Sequence, residues 1–137
     1  MFVVVLLAPA ASAAPAPGTY TLSFNPDSVT GGASYIVIAL VKDSAGASAT
    51  GGTVVFQVCK VGSNVAIRPS SACADGGAGR WRTFDKRAVV GGLATTNAAT
   101  YEVFSDIQHG WRIKYTGQGS GIANGFSAPA DITVHST

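Results

Sequence analysis

Aromatic rings alternate with cations at two places in this chain, Arg80-Trp81-Arg82 and Trp111-Arg112-Ile113-Lys114-Tyr115. Planar rings beside hydrogen-bond donors are suited to stacking on sugar rings or to gripping a polar partner. Tyr101 can add a third ring. The two stretches differ in what alternation does to them. On a strand, Trp111, Ile113 and Tyr115 fall on one face, the pattern of a core. Trp81 has no such companions and is open to either role, facing opposite to Arg80 and Arg82. These three residues are therefore the candidate ligand contacts.

Other chemistry is sparse. Glu102 is the only glutamate, and Asp106 lies four residues on. On a strand that spacing separates the two carboxylates by about 13 Å, beyond the usual separation for glycoside hydrolysis. The segment Gly117-Gln118-Gly119-Ser120-Gly121 lacks the spacing of a nucleophile elbow and has no helix after it. His109 is flanked by glycine and His135 lies near the C-terminus, both expected in solvent. No EF-hand loop, phosphate-binding loop or dinucleotide fingerprint occurs. The reading is of a non-enzyme with no catalytic residue, no metal and no cofactor.

Cys59 and Cys73 are the only cysteines. An even count in an exported chain reads first as a disulfide, whereas two thiols with only His109 and His135 elsewhere make no recognisable zinc set. The bridge would staple an excursion rich in small polar residues. Export is expected from residues 1–13, where Phe2-Val3-Val4-Val5-Leu6-Leu7-Ala8 is a short apolar run and Ala11-Ser12-Ala13 a small-x-small cleavage site. Pro9 interrupts the run far short of the ~18 residues of a membrane span, so no membrane span is expected in the mature chain. Residues 14–18 form a Pro/Ala linker.

The elements that must position these residues are strands. Of 137 residues only 12% are charged and 17 are glycine, and the formal net charge is +2. Nine scattered basic residues do not form the dense face that nucleic acid requires. Length suits one domain, placed at residues 19–137. Tyr20, Leu22 and Phe24 share one face of a first strand, and Val54, Phe56 and Val58 share one face of another. Residues 34–41 are apolar on both faces, and the outer one is expected to lie under a loop such as the excursion between Cys59 and Cys73, the alternative being an exposed binding patch. Short strands follow at residues 80–84, 89–96 and 100–104. Residues 110–117 and 127–135 make a closing pair around a glycine-rich turn. Seven to eight strands with no amphipathic helix indicate an all-β antiparallel sandwich.

Three segments together resemble the bacterial immunoglobulin-like repeat domains of secreted and cell-surface proteins. They are Val41-Lys42-Asp43-Ser44-Ala45-Gly46, Thr50-Gly51-Gly52-Thr53-Val54-Val55-Phe56, and Tyr115-Thr116-Gly117 with Ser127-Ala128-Pro129 and Ile132-Thr133-Val134. The resemblance implies an immunoglobulin-like sandwich with a structural, adhesive or protein-interaction role at the bacterial exterior. Its partner would be a protein or polysaccharide. A carbohydrate-binding module using exposed aromatics is the alternative, and a small secreted hydrolase a weaker one.

Overall fold

The computed structural model describes residues 15–63 and 66–137. The expected signal segment lies outside the described residues. Among the described residues nine strands are present: β1 Gly18–Asn25, β2 Ser28–Thr30, β3 Ser34–Asp43, β4 Thr53–Val61, β5 Gly79–Ala88, β6 Leu93–Ala99, β7 Ile107–Thr116, β8 Gly125–Phe126 and β9 Ala130–His135. A single-turn 3-10 helix, Ser70–Cys73, interrupts the excursion after β4. The strands form two sheets, β1-β3-β6 and β2-β9-β7-β4-β5, with β8 beside β7. All pairs are antiparallel except β2 with β9. This is an all-β sandwich, as the alternation of apolar side chains implies.

The core is what the period-2 pattern selects. Tyr35, Val37, Ala39 and Val41 of β3 face Val54, Phe56 and Val58 of β4 and Trp111, Ile113 and Tyr115 of β7, all buried. Tyr20, Leu22 and Phe24 of β1 pack against this layer from the side. Each fully buried large apolar side chain contributes about 1.5–3 kcal/mol relative to exposure, which makes this layer the main source of stability.

Three expectations fail for identifiable reasons. Residues 100–104 do not form a strand but the connection from β6 in one sheet to β7 in the other. Their backbone bonds go to loops, with Thr100 N–H donating to Ala33 O and Thr137 N–H to Val103 O. Val29, expected as an isolated anchor, sits in the short parallel strand β2 against Val134. The outer face of β3 is not covered by the Cys59 to Cys73 excursion. Ile36 and Leu40 are 38% and 37% exposed there, flanked by Thr21 and Ser23 on β1 and by Leu93 and Thr95 on β6.

The excursion goes elsewhere because alternation fixes where Cys59 points. With Val58 inward, Cys59 faces out of the larger sheet, and its bond to Cys73 (S–S 1.98 Å) draws the chain across β4 and β7. Arg68 then fills the gap where β4 and β7 part. Its N–H donates to Cys59 O at 2.7 Å, and its carbonyl accepts from Gly110 N–H at 2.8 Å. Gly110 makes this approach possible, since a Cβ there would stand 2.3 Å from Ser70 N. Farther along, Ser70 N–H and Oγ donate to the Asp131 carboxylate at 2.8 and 2.5 Å.

Two local devices shape the edge formed by β5 and β6. Gly91 and Gly92, both at positive φ (59° and 79°), make the two-residue turn into β6, closed by Val90 and Leu93. A bulge in β5 opposite Phe56 and Gln57 leaves Phe84 unpaired. The bulge lets neighbours Phe84 and Asp85 both reach inward. Phe84 meets Trp111 edge to face at 4.8 Å, and Asp85 accepts from Thr96 Oγ1 at 2.6 Å.

Candidate functional site

Trp81, Arg80 and Arg82 do not converge. Strand β5 puts Trp81 on the outer face of the larger sheet, beside Cys59, and the two arginines on the opposite side. Arg80 donates to the carbonyls of Gly77 and Gly79 at 3.2 and 2.8 Å, while Arg82 is exposed. Trp81 is half-buried and finds partners that sequence reasoning missed. The Arg112 guanidinium lies 4.9 Å from the centre of the Trp81 ring and 4.3 Å from that of Phe126. Gln57 Oε1 holds it by accepting from Nε at 2.7 Å. The result is a ladder, Trp81 and Phe126 on either side of one cation, on the outer face of β5, β7 and β8. Partial burial lowers the Arg112 pKa, and each ring face turned to the cation offers electrostatic compensation. Only the register of β4, β5, β7 and β8 brings these residues together.

A second site lies at the end of the sandwich, where residues 100–106 cross between the sheets. A cleft of about 630 Å³ opens there, walled by Phe84, Ile67, Val103 and Ile107, with Lys60, Glu102 and Tyr101 at its mouth. His109 lies in its wall and is 7% exposed, contrary to the expectation of a solvated turn residue. The signal was in the sequence: His109 is in phase with Trp111, Ile113 and Tyr115 on the inward face of β7.

Hydrogen-bond bookkeeping fixes the state of His109. Trp111 Nε1 can only donate, and it donates to Tyr35 Oη at 2.8 Å. Tyr35 Oη is 2.9 Å from His109 Nδ1. The tyrosine proton finds an acceptor only if it goes to Nδ1, so the neutral ring carries its own proton on Nε2. Burial pushes the Tyr35 phenol pKa up and the His109 pKa down to about 4. The relay Trp111, Tyr35, His109 is therefore neutral at pH 7.

A pH dependence follows. Between pH 6.5 and 4 the unfolded chain protonates this histidine and the folded one does not, so stability falls as pH drops through that window. The loss is about 3 kcal/mol by pH 4 and is absent above pH 7. Urea midpoints measured from pH 7.5 to 4 will show a His109→Gln variant with a flatter profile than the parent; parallel profiles would refute the assignment. Asp85 is held below the usual carboxylate range by its bond from Thr96 first and by Arg87 second. Asp106 is held low chiefly by the Ser136 N–H and then by His135. Both lose their contribution on the acid side of the His109 window.

Among the described residues no group of three or more His, Cys, Asp or Glu is arranged to hold a metal. His135 Nδ1 lies 3.1 Å from the Asp106 carboxylate on exposed surface, and His109 is hydrogen-bonded to Tyr35. Among the described residues neither ring is hydrogen-bonded to a Ser, Thr or Cys side chain. No helix among the described residues is long and apolar enough to cross a membrane. The class the structure defines is an all-β sandwich with one disulfide and exposed aromatic side chains. The chain matches no protein-family model and no curated protein.

Proposed function

We propose that the chain is an exported, non-enzymatic immunoglobulin-like module that acts by contact with a protein or polysaccharide at the bacterial cell exterior. The observation that carries this reading is on the connection between β6 and β7. Tyr101 is 81% exposed and Phe104 fully exposed, three residues apart. Large rings held in water next to an apolar cleft are the usual mark of a contact surface. The disulfide fits an oxidising compartment.

A carbohydrate-binding role is the second reading, favoured by the Trp81, Arg112, Phe126 ladder. Flat rings interleaved with a fixed guanidinium and the Gln57 amide offer stacking and hydrogen bonding on one open sheet face. One face of each ring is already occupied by the cation, which leaves less stacking surface than two free rings would.

The two readings separate by mutation. The secreted protein, a Tyr101→Ser/Phe104→Ser variant and a Trp81→Ala variant should be tested on immobilised bacterial envelopes and on a polysaccharide panel. The first reading expects at least about a tenfold loss of envelope binding in the double variant, the loss typical of truncating an aromatic hot spot. Trp81→Ala should then bind as the parent does. Polysaccharide retention abolished by Trp81→Ala alone would replace the first reading with the second, and no retention on either surface would remove both.

A further inference from the structure

We propose that the cleft between the sheets is a binding site for a small amphipathic carboxylate, with the anionic head at His109 and Lys60 and the apolar body against Phe84, Ile67 and Ile107. This goes beyond the contact role assigned to Tyr101 and Phe104 and rests on different residues.

The first observation is a donor in the wall of the cleft that no group among the described residues accepts. Nδ1 of His109 is engaged by Tyr35, and Nε2, which carries the proton, has no protein partner among the described residues. Among the described residues no fully buried side-chain nitrogen or oxygen lacks a partner, so Nε2 must reach the accessible surface of the cleft that His109 lines. In the free cleft it faces solvent, and a ligand oxygen there takes the place of water as its acceptor.

The second observation sets the charge of the ligand. Lys60 and Arg80 stand directly opposite each other on β4 and β5, and Arg82 follows on the same side. Like charges at cross-strand positions repel. The arginines of β5 from 80 to 82 and Lys60 have no carboxylate within ion-pair distance among the described residues. Arg80 is turned to backbone carbonyls and neither arginine lines the cleft, so Lys60 is the cation left there for an anion. Glu102 also borders the mouth, on the loop opposite, and disfavours a second negative charge on the ligand. A single negative charge with an uncharged tail satisfies both sides.

The third observation is size and lining. At about 630 Å³ the cleft is within the range of small-molecule sites, and its walls are aromatic and branched aliphatic side chains with few polar groups. Phe84 lies two residues beyond Arg82 on the inward side of β5, and the bulge keeps Asp85 on that side as well. The edge-to-face contact of Phe84 with Trp111 places a fluorophore one ring away from any ligand.

The test uses the intact disulfide-bonded protein and three probes of one shape, 3-phenylpropionate, 3-phenylpropanol and 3-phenylpropylamine. Titrations are followed by tryptophan fluorescence and by amide and histidine ring shifts. The acid should bind with a dissociation constant of about 1 mM or tighter, as expected for so few atoms. The alcohol should bind at least about tenfold more weakly and the amine weaker still. Lys60→Gln, a change at a half-buried residue outside the core, should bring acid and alcohol to the same affinity. Phe84→Ala should weaken all three, whereas Trp81→Ala should change none. Equal binding of acid and alcohol by the parent overturns the proposal, as does ring-shift perturbation that spares His109 or no saturation by any probe. Because none of the residues tested is Tyr101 or Phe104, its failure leaves the contact reading standing, and the reverse.

Discussion

Replacing Trp111 with alanine is expected to lower the unfolding free energy by about 4 kcal/mol, the largest effect of any single substitution in this chain. The side chain is fully buried at the centre of β7 and is the largest such group in the core. Its removal takes away ring contacts with Phe84 and Tyr35 and leaves a cavity between rigid strands that cannot close around it. It also removes the donor that orients the Tyr35 hydroxyl, and through it the proton on His109. Against a typical domain stability of 5–15 kcal/mol, the variant stands near the edge of folding. Trp111→Phe keeps most of the volume and loses the indole N–H, so its cost should be smaller, near 2 kcal/mol. Urea denaturation followed by far-UV circular dichroism measures both. A cost for Trp111→Ala under about 1 kcal/mol would mean that the core is not organised around this ring.

The same residue shows what sequence can and cannot tell here. Strands with one buried face were legible because alternation is a direct record of which side meets the other sheet; β1, β4 and β7 are read correctly from Tyr20, Val54 and Trp111 onward. Applied one step further back, the phase of β7 also finds His109. Glycine on its C-terminal side had the look of a turn, but Gly110 is small so that Ser70 can cross the strand. Alternation misled at Tyr101 and Val103, since it says nothing about whether a segment has a neighbouring strand to pair with. A chain crossing between sheets has none.

Which elements become neighbours was the least legible layer. Trp81, Arg112 and Phe126 belong to three strands, and nothing in their spacing announces that β7 lies close enough to both β5 and β8 to set one guanidinium between two rings. The bulge that sets neighbours Phe84 and Asp85 on the same inward side is equally silent, because a single extra residue in β5 leaves the composition of the strand unchanged. The disulfide was legible as a bond, from an even pair of cysteines in a chain expected to be exported. The face on which it lays the excursion was not read, although the inward phase of Val58 determines it.

Removing that bond by Cys59→Ala/Cys73→Ala should cost about 3 kcal/mol, the loop-closure entropy of a ring of this size restored to the unfolded chain. If the bond acts only through the unfolded state, the folded excursion should keep its structure. Three other clamps support that outcome: Arg68 between Cys59 and Gly110, Ser70 on Asp131, and the close passage over Gly110. Hydrogen exchange separates the two mechanisms. An entropic bond predicts that the slowest amides, in β3, β4 and β7, lose protection by the full amount while the Arg68 and Ala72 amides change little relative to them. A bond that holds the excursion down predicts the reverse, with Arg68 and Ala72 exchanging freely and the core strands nearly as before. The clamps favour the first pattern. Unchanged protection in β3, β4 and β7, with an unchanged urea midpoint, would show that the bridge adds nothing that Arg68, Ser70 and Asp131 do not already supply.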